Sequence, residues 1–157
     1  MPLIQLKTKI NAPVEQCFDL ARSIDLHKIS TKDTNEEAID GVTSGLINLN
    51  ESVTWRAKHF GVYQNLTTKI TEFDSPKLFV DEMVKGAFKG FRHEHHFEST
   101  EYGTLMTDRF DYVSPFGILG KLADIIVLKK YMTNLLVNRN DNIKEFAESE
   151  QWKKVLK

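Results

Sequence analysis

The chain has 157 residues, 41% of them hydrophobic, with 21 basic and 22 acidic side chains and a net charge of −1. This length and composition suit one globular domain, read as 1–157, large enough to bury a real core. Near-neutral charge removes the cationic excess that a nucleic-acid partner needs, and a single cysteine, Cys17, removes an internal disulfide framework.

Met1-Pro2-Leu3 leads straight into alternation rather than a secretory signal: Ile4, Leu6, Thr8 and Ile10 share one side of a strand over Leu3 to Ile10. Asn11-Ala12-Pro13 punctuates it. Asn11 or Ala12 falls near a helix N-cap and Pro13 in the first turn, where its missing N–H has no intrahelical partner anyway. Val14, Cys17, Phe18 and Ala21 follow at helical spacing. A short second helix is expected over Ile24 to Ile29, capped by Ser23 or Asp25. Glu36 to Asp40 is a weak strand, and Val42 to Asn50 a loop or distorted edge. Glu51 to Phe60 alternates, with Val53, Trp55, Ala57 and His59 on one face. Gly61 permits a tight hairpin into Val62 to Phe73. Asp74-Ser75-Pro76 is a turn, followed by strands over Lys77 to Lys85, Phe88 to Thr100 and Thr104 to Val113.

Gly117 to Glu148 reads as one long helix with Leu119, Leu122, Ile126, Met132, Leu136, Ile143 and Ala147 at helical spacing. Ile125, Leu128, Leu135 and Phe146 widen the apolar stripe. Lys121, Lys129, Lys130, Arg139 and Lys144 are assigned to the wet side. Residues 148–157 read as a polar tail ending in Lys153, Lys154 and Lys157. The predicted class is α+β: a curved antiparallel sheet of about seven strands around a long C-terminal helix, with two short helices after the first strand. The sheet must bury one face, and only the long helix is large enough to cover it.

This layout, with Ile10-Asn-Ala-Pro-Val-Glu-Gln-Cys-Phe-Asp-Leu-Ala-Arg-Ser-Ile-Asp, resembles the START-related (SRPBCC) superfamily of the helix-grip fold. Val53-Thr-Trp-Arg-Ala-Lys-His-Phe-Gly and Phe79-Val-Asp-Glu-Met-Val-Lys-Gly-Ala-Phe-Lys look like its bacterial branch. The superfamily includes pollen-allergen-like proteins, lipid-transfer domains, and polyketide cyclases and dehydrases. The resemblance therefore implies an internal cavity for a lipid, quinone or polyketide-like molecule; fold by itself does not choose among these. It also implies that glycine-bearing loops, here Val42 to Asn50 and Phe116 to Gly120, gate the cavity mouth; the alternative is that they pack against a helix end.

Phe91-Arg92-His93-Glu94-His95-His96-Phe97-Glu98 is the most unusual stretch. Strand alternation puts Phe91, His93, His95 and Phe97 on one face and Arg92, Glu94, His96 and Glu98 on the other. Neighbouring strands add Trp55 and His59, and Met106, Asp108, Phe110 and Tyr112. With Leu122, Ile126 and Met132 of the helix, these form the expected ligand-binding wall. Asp81 and Glu82 point to opposite faces, and either is a candidate for the interior. Cys17 reads as a buried structural thiol, and His27 and His96 as surface residues.

Three roles fit His59, His93, His95 and Asp108. They satisfy one another or buried water; they orient the polar end of an apolar ligand; or they do chemistry. For chemistry, His93, His95 and Asp108 are the candidate acid–base residues of a cyclase or dehydratase. His93-x-His95 would also suit zinc with His59 or Asp108 as third ligand, but no cysteine supports it, and neither metal nor cofactor is expected. A hydrophobic small molecule is the expected partner. A protein-interaction module is a third possibility, which would need an exposed apolar patch. No run of eighteen apolar residues exists, so no integral membrane segment is expected, and cytoplasmic location is the default.

Overall fold

A computed structural model describes residues 3–114 and 127–156. Seven strands form one antiparallel sheet in the order β1-β7-β6-β5-β4-β3-β2. They are β1 (Leu3–Ile10), β2 (Glu37–Gly41), β3 (Ser52–His59), β4 (Val62–Asp74), β5 (Leu78–Lys85), β6 (Gly90–Thr100) and β7 (Gly103–Val113). Successive hairpins from β2 to β7 make neighbours of consecutive segments, and β1 returns to pair with β7 from Leu3↔Asp111 to Ile10↔Thr104. Register shifts at Thr67/Thr68 and Ile70/Glu72 in β4 bend the sheet where it must curl. The α+β architecture is the one the sequence predicts.

Two short helices, α1 (Val14–Ala21) and α2 (Ile24–Ser30), follow β1. Pro13 is the N-cap of α1 in extended conformation rather than a residue of its first turn. Ser23, not Asp25, caps α2: its hydroxyl accepts the Leu26 N–H at 3.1 Å. Asp25 instead accepts the Gly45 N–H at 3.0 Å. The Ile24 N–H donates to Gly45 O, and the Arg22 guanidinium to Ile47 O, so the segment Val42 to Asn50 is fastened to the helices and Ile47 is buried. These contacts pack the segment against the two short helices. Phe116 to Gly120 lies outside the described residues.

The C-terminal helix, α3, runs over Lys129–Glu148, 20 residues and about 30 Å. Leu128 already has helical dihedrals; the expected start at Gly117, with Leu119, Lys121, Leu122, Ile125 and Ile126, lies outside the described residues. Leu136, Arg139, Asn140, Ile143, Phe146 and Ala147 form its buried face. Arg139, expected on the wet side, is only 7% exposed; its position between Leu136 and Ile143 puts it in the stripe. The last residues are not a solvated tail either. Glu150–Lys154 form a 3₁₀ turn, and Trp152, Val155 and Leu156 pack on the core. The strand expected from Phe88 begins at Gly90, leaving Phe88 in the bend before it.

Phe18 of α1 centres the main core. Its ring meets Phe73, Phe79 and Phe97 edge-on at 5.4, 5.5 and 5.3 Å. Cys17 is buried beside it, and burial pushes its thiol upward, as befits an inert residue. Gly103 turns β6 into β7 at φ +136°, and a Cβ there would meet Ile10 O at 2.5 Å. Phe18→Ala is expected to lower unfolding free energy by about 3–5 kcal/mol in urea denaturation, because three rings lose their common partner.

Candidate functional site

Strand register assembles the polar centre. Asp81 of β5 lies opposite His93 of β6, and His95 lies opposite Asp108 of β7. All four point to the concave face. The contacts then run diagonally. His93 Nε2 donates to Asp108 Oδ1 at 3.0 Å, and His95 Nε2 donates to Asp81 Oδ1 at 2.7 Å. His95 Nδ1 lies 3.2 Å from Asp108 Oδ1. From α3, Asn140 Nδ2 donates to Asp108 Oδ2 at 2.7 Å, and Arg139 Nη1 approaches Asp108 to 3.5 Å. Arg139 is itself held by Ala21 O at 3.0 Å and by Asn140 Oδ1 at 3.1 Å. Stacking orients the rings: His95 lies on Phe79 at 4.1 Å and against His93 at 3.8 Å.

Two cavities lie beside this centre and share Arg139. The inner one, ≈ 150 Å³, has Trp55, Ile70, Phe79, Phe91 and Phe110 as apolar wall and Asp81, His93, His95 and Arg139 as polar floor. The outer one, ≈ 360 Å³, is bounded by Phe60, Leu66, Ala87, Phe88, Leu128, Tyr131, Met132 and Leu135. His27, Glu36, Leu66, Leu136 and Arg139 border both. His27, expected at the surface, is half-buried: its Nε2 donates to Glu36 Oε1 at 2.9 Å, and its ring lies tilted against Trp55 at 4.3 Å. His59 Nδ1 and the Tyr131 hydroxyl are 2.7 Å apart at the outer rim, where the Phe60 ring lies tilted by 39° against Tyr131 at 4.5 Å.

Of the residues expected on the wall, Trp55, Phe91, His93, His95 and Phe110 border the inner cavity, and His59 and Met132 the outer. Phe97, Met106, Asp108 and Tyr112 face the same side but border neither of these two cavities; all four are within the packed interior. Alternation specifies a face, not what covers it: Phe97 sits under Phe18, and Asp108 under the imidazoles and Asn140. Leu122 and Ile126 lie outside the described residues. Asp81 is the inward carboxylate, whereas Glu82 sits 3.6 Å from Arg92 on the outer face. His96 faces outward too, against Glu94 at 2.8 Å. Sequence reasoning missed Asn140, Glu36 and Tyr131 altogether. Asn140 had a signal, since it falls four residues after Leu136 and three before Ile143.

Solved structures share this fold. TTHA0849 from Thermus thermophilus superposes with a TM-score of 0.70 at 19% identity, over 90% of this chain and 97% of that one. Ginseng major latex-like protein 151 from Panax ginseng gives 0.69 at 15%, over 94% and 98%. SA2116 from Staphylococcus aureus, a protein of unknown function, gives 0.72 at 12%, over 95% and 94%. The chain has the helix-grip fold. At these identities the likeness shows the fold alone. No sequence-family profile matches the chain, and no curated protein sequence does.

Within this helix-grip interior the electrostatics follow from burial and pairing. Burial alone would raise the Asp108 carboxyl, but hydrogen bonds from His93 and His95 and the Arg139 charge hold it well below the usual carboxylate range. Asp81 is also lowered, since the His95 hydrogen bond and the charges around it outweigh its burial. Burial lowers the His93 imidazole, with His95 adding to it, and Asp108 does not reverse the direction. Burial lowers His59 as well.

Acid should therefore destabilise the protein in two stages. Below about pH 6.5 the unfolded chain gains protons on His93 and His59 that the folded chain resists, so stability falls as pH falls. Below about pH 4 the unfolded state also protonates Asp81 and Asp108 while the folded state holds them ionised, and stability falls again. Urea midpoints at pH 7.5, 5.5 and 3.5 should show both losses, with His93→Gln flattening the first.

Proposed function

We propose that the protein binds a mostly apolar small molecule with one polar end, a lipid, quinone or polyketide-like ring, in the space between sheet and α3. The observation that carries this is the pairing of the two cavities. The outer one has the size of ordinary ligand pockets, about 300–1,000 Å³, and a largely apolar wall. The inner one ends on imidazole, carboxylate and guanidinium groups. A molecule lying along both would bury its apolar body at roughly 25 cal/mol per Å² and set its polar end beside Arg139 and His95. The helix-grip fold, in the superfamily this sequence resembles, supports the same reading. No helix among the described residues is long and apolar enough to cross a membrane.

A second reading, acid–base catalysis of the cyclase or dehydratase kind, is favoured by one feature. His95 and Asp81 are hydrogen-bonded at 2.7 Å and both border the inner cavity, within reach of a bound carbonyl or hydroxyl. Asp108 would then orient the imidazoles rather than touch substrate. Turnover by the native chain that is lost in His95→Gln with binding retained would select the enzyme; native binding without turnover would select the binding protein.

Leu66 borders both cavities, so a larger residue there would intrude on the space that a ligand lying along both would occupy. Saturable fluorescence of 1-anilinonaphthalene-8-sulfonate, displaced by palmitate, is expected for the native protein. Leu66→Trp should weaken both probes about tenfold, or about 1.4 kcal/mol, with little change in thermal midpoint. Absence of saturable binding in the native chain would remove the proposal.

A further inference from the structure

The inner polar centre has the makings of a metal site as well as of a hydrogen-bond network. One donor atom each from Asp81, His93 and His95 lies within 4.8 Å of the other two. The atoms concerned are turned toward one carboxylate oxygen: Asp81 Oδ1 is 2.7 Å from His95 Nε2 and 3.9 Å from His93 Nδ1. Ligands about 2.0–2.1 Å from a tetrahedral zinc ion stand about 3.3 Å from one another. The two separations straddle that value, so a shift of roughly 0.6 Å in the Asp81 carboxylate brings its distances to both imidazoles to the tetrahedral spacing.

The second ring nitrogens strengthen the case. His93 Nε2 and His95 Nδ1 both meet Asp108 Oδ1, at 3.0 and 3.2 Å. Asp108 is fully buried, and Asn140 fixes its other oxygen. With the His95 proton on Nδ1, Asp108 takes the far N–H of both imidazoles, and the near nitrogens, His93 Nδ1 and His95 Nε2, offer their lone pairs to a metal. Protein metal sites commonly fix their histidine ligands in this way. We propose that Asp81, His93 and His95 bind a divalent first-row metal ion such as zinc, with Asp108 orienting both imidazoles and the remaining position open to the inner cavity.

Charge and access agree with this. Asp81, Asp108 and Arg139 sum to −1 with neutral imidazoles, so the centre carries an uncompensated negative charge that a cation offsets. Metal binding at His95 Nε2 moves that imidazole's proton to Nδ1, toward Asp108. The centre then stands at +1, which favours hydroxide or an anionic ligand oxygen in the open position. Arg139 Nη2, 3.4 Å from His95 Nδ1, gives up that contact but keeps Ala21 O. Asp81, His93 and His95 all border the inner cavity, which provides the path for the ion. The site needs no apolar ligand in the outer cavity.

Chelator-treated protein titrated calorimetrically with zinc chloride alone at pH 7.5 should bind one ion with a dissociation constant in the micromolar range or below. Asp81→Asn, which keeps the shape of the side chain, should weaken binding at least tenfold, and Asp108→Asn about 10–100-fold. The outward His96→Gln should leave it unchanged. X-ray absorption of the native protein loaded with zinc tests the ligand set without any variant: two imidazoles bound directly to the ion are expected. Native binding weaker than about 100 μM, unchanged affinity in Asp81→Asn, or fewer than two imidazoles would overturn the site.

Discussion

The Asp108 carboxylate joins helix to sheet by more than apolar contact. It is fully buried, and its oxygens are divided between the imidazoles of β6 and the amide of Asn140 on α3, with the Arg139 guanidinium alongside. A buried charge without such partners costs several kcal/mol. The rotation of α3 about its own axis is therefore fixed: Arg139 and Asn140 must face β7. Everything else on the helix follows from its period. Ile143, Phe146 and Ala147 then fall on the Phe18 core, and Met132, Leu135 and Leu136 fall over the cavities.

The two ends of the interior are filled differently. Toward the C-terminus of α3, α1 lays Phe18 into the sheet and its ring is shared by Phe73, Phe79 and Phe97. Toward the other end Trp55, Phe91 and Phe110 stand along the walls and leave space between them. Close packing and a hollow thus coexist because one short helix covers only part of the concave face, and the polar centre lies at the boundary.

Adjacent residues in the same strands show how face decides role. Asp81 enters the buried network, while Glu82, one residue on, joins Glu72 and Glu94 around Arg92 on the outer face. The outer cluster is partly exposed and contributes little to stability. The inner one sits in low dielectric, where hydrogen bonds and charges count for more and where pKa values move.

The sequence by itself determined the element types, the pleat of β6 and the apolar stripe of α3. These are local periodicities: two for His93 and His95, three and four for Leu136, Ile143 and Ala147. It also named His93, His95 and Asp108 as a group, because they share a face on neighbouring hairpin strands. Only the tertiary structure decided that Asp81 rather than Glu82 completes them, that Arg139 turns inward, that His27 borders both cavities, and that Phe97, Met106 and Tyr112 are packed. Those outcomes depend on strand register, on the rotation of α3 and on which part of the sheet α1 covers. Such long-range contacts leave no period in the chain that makes them.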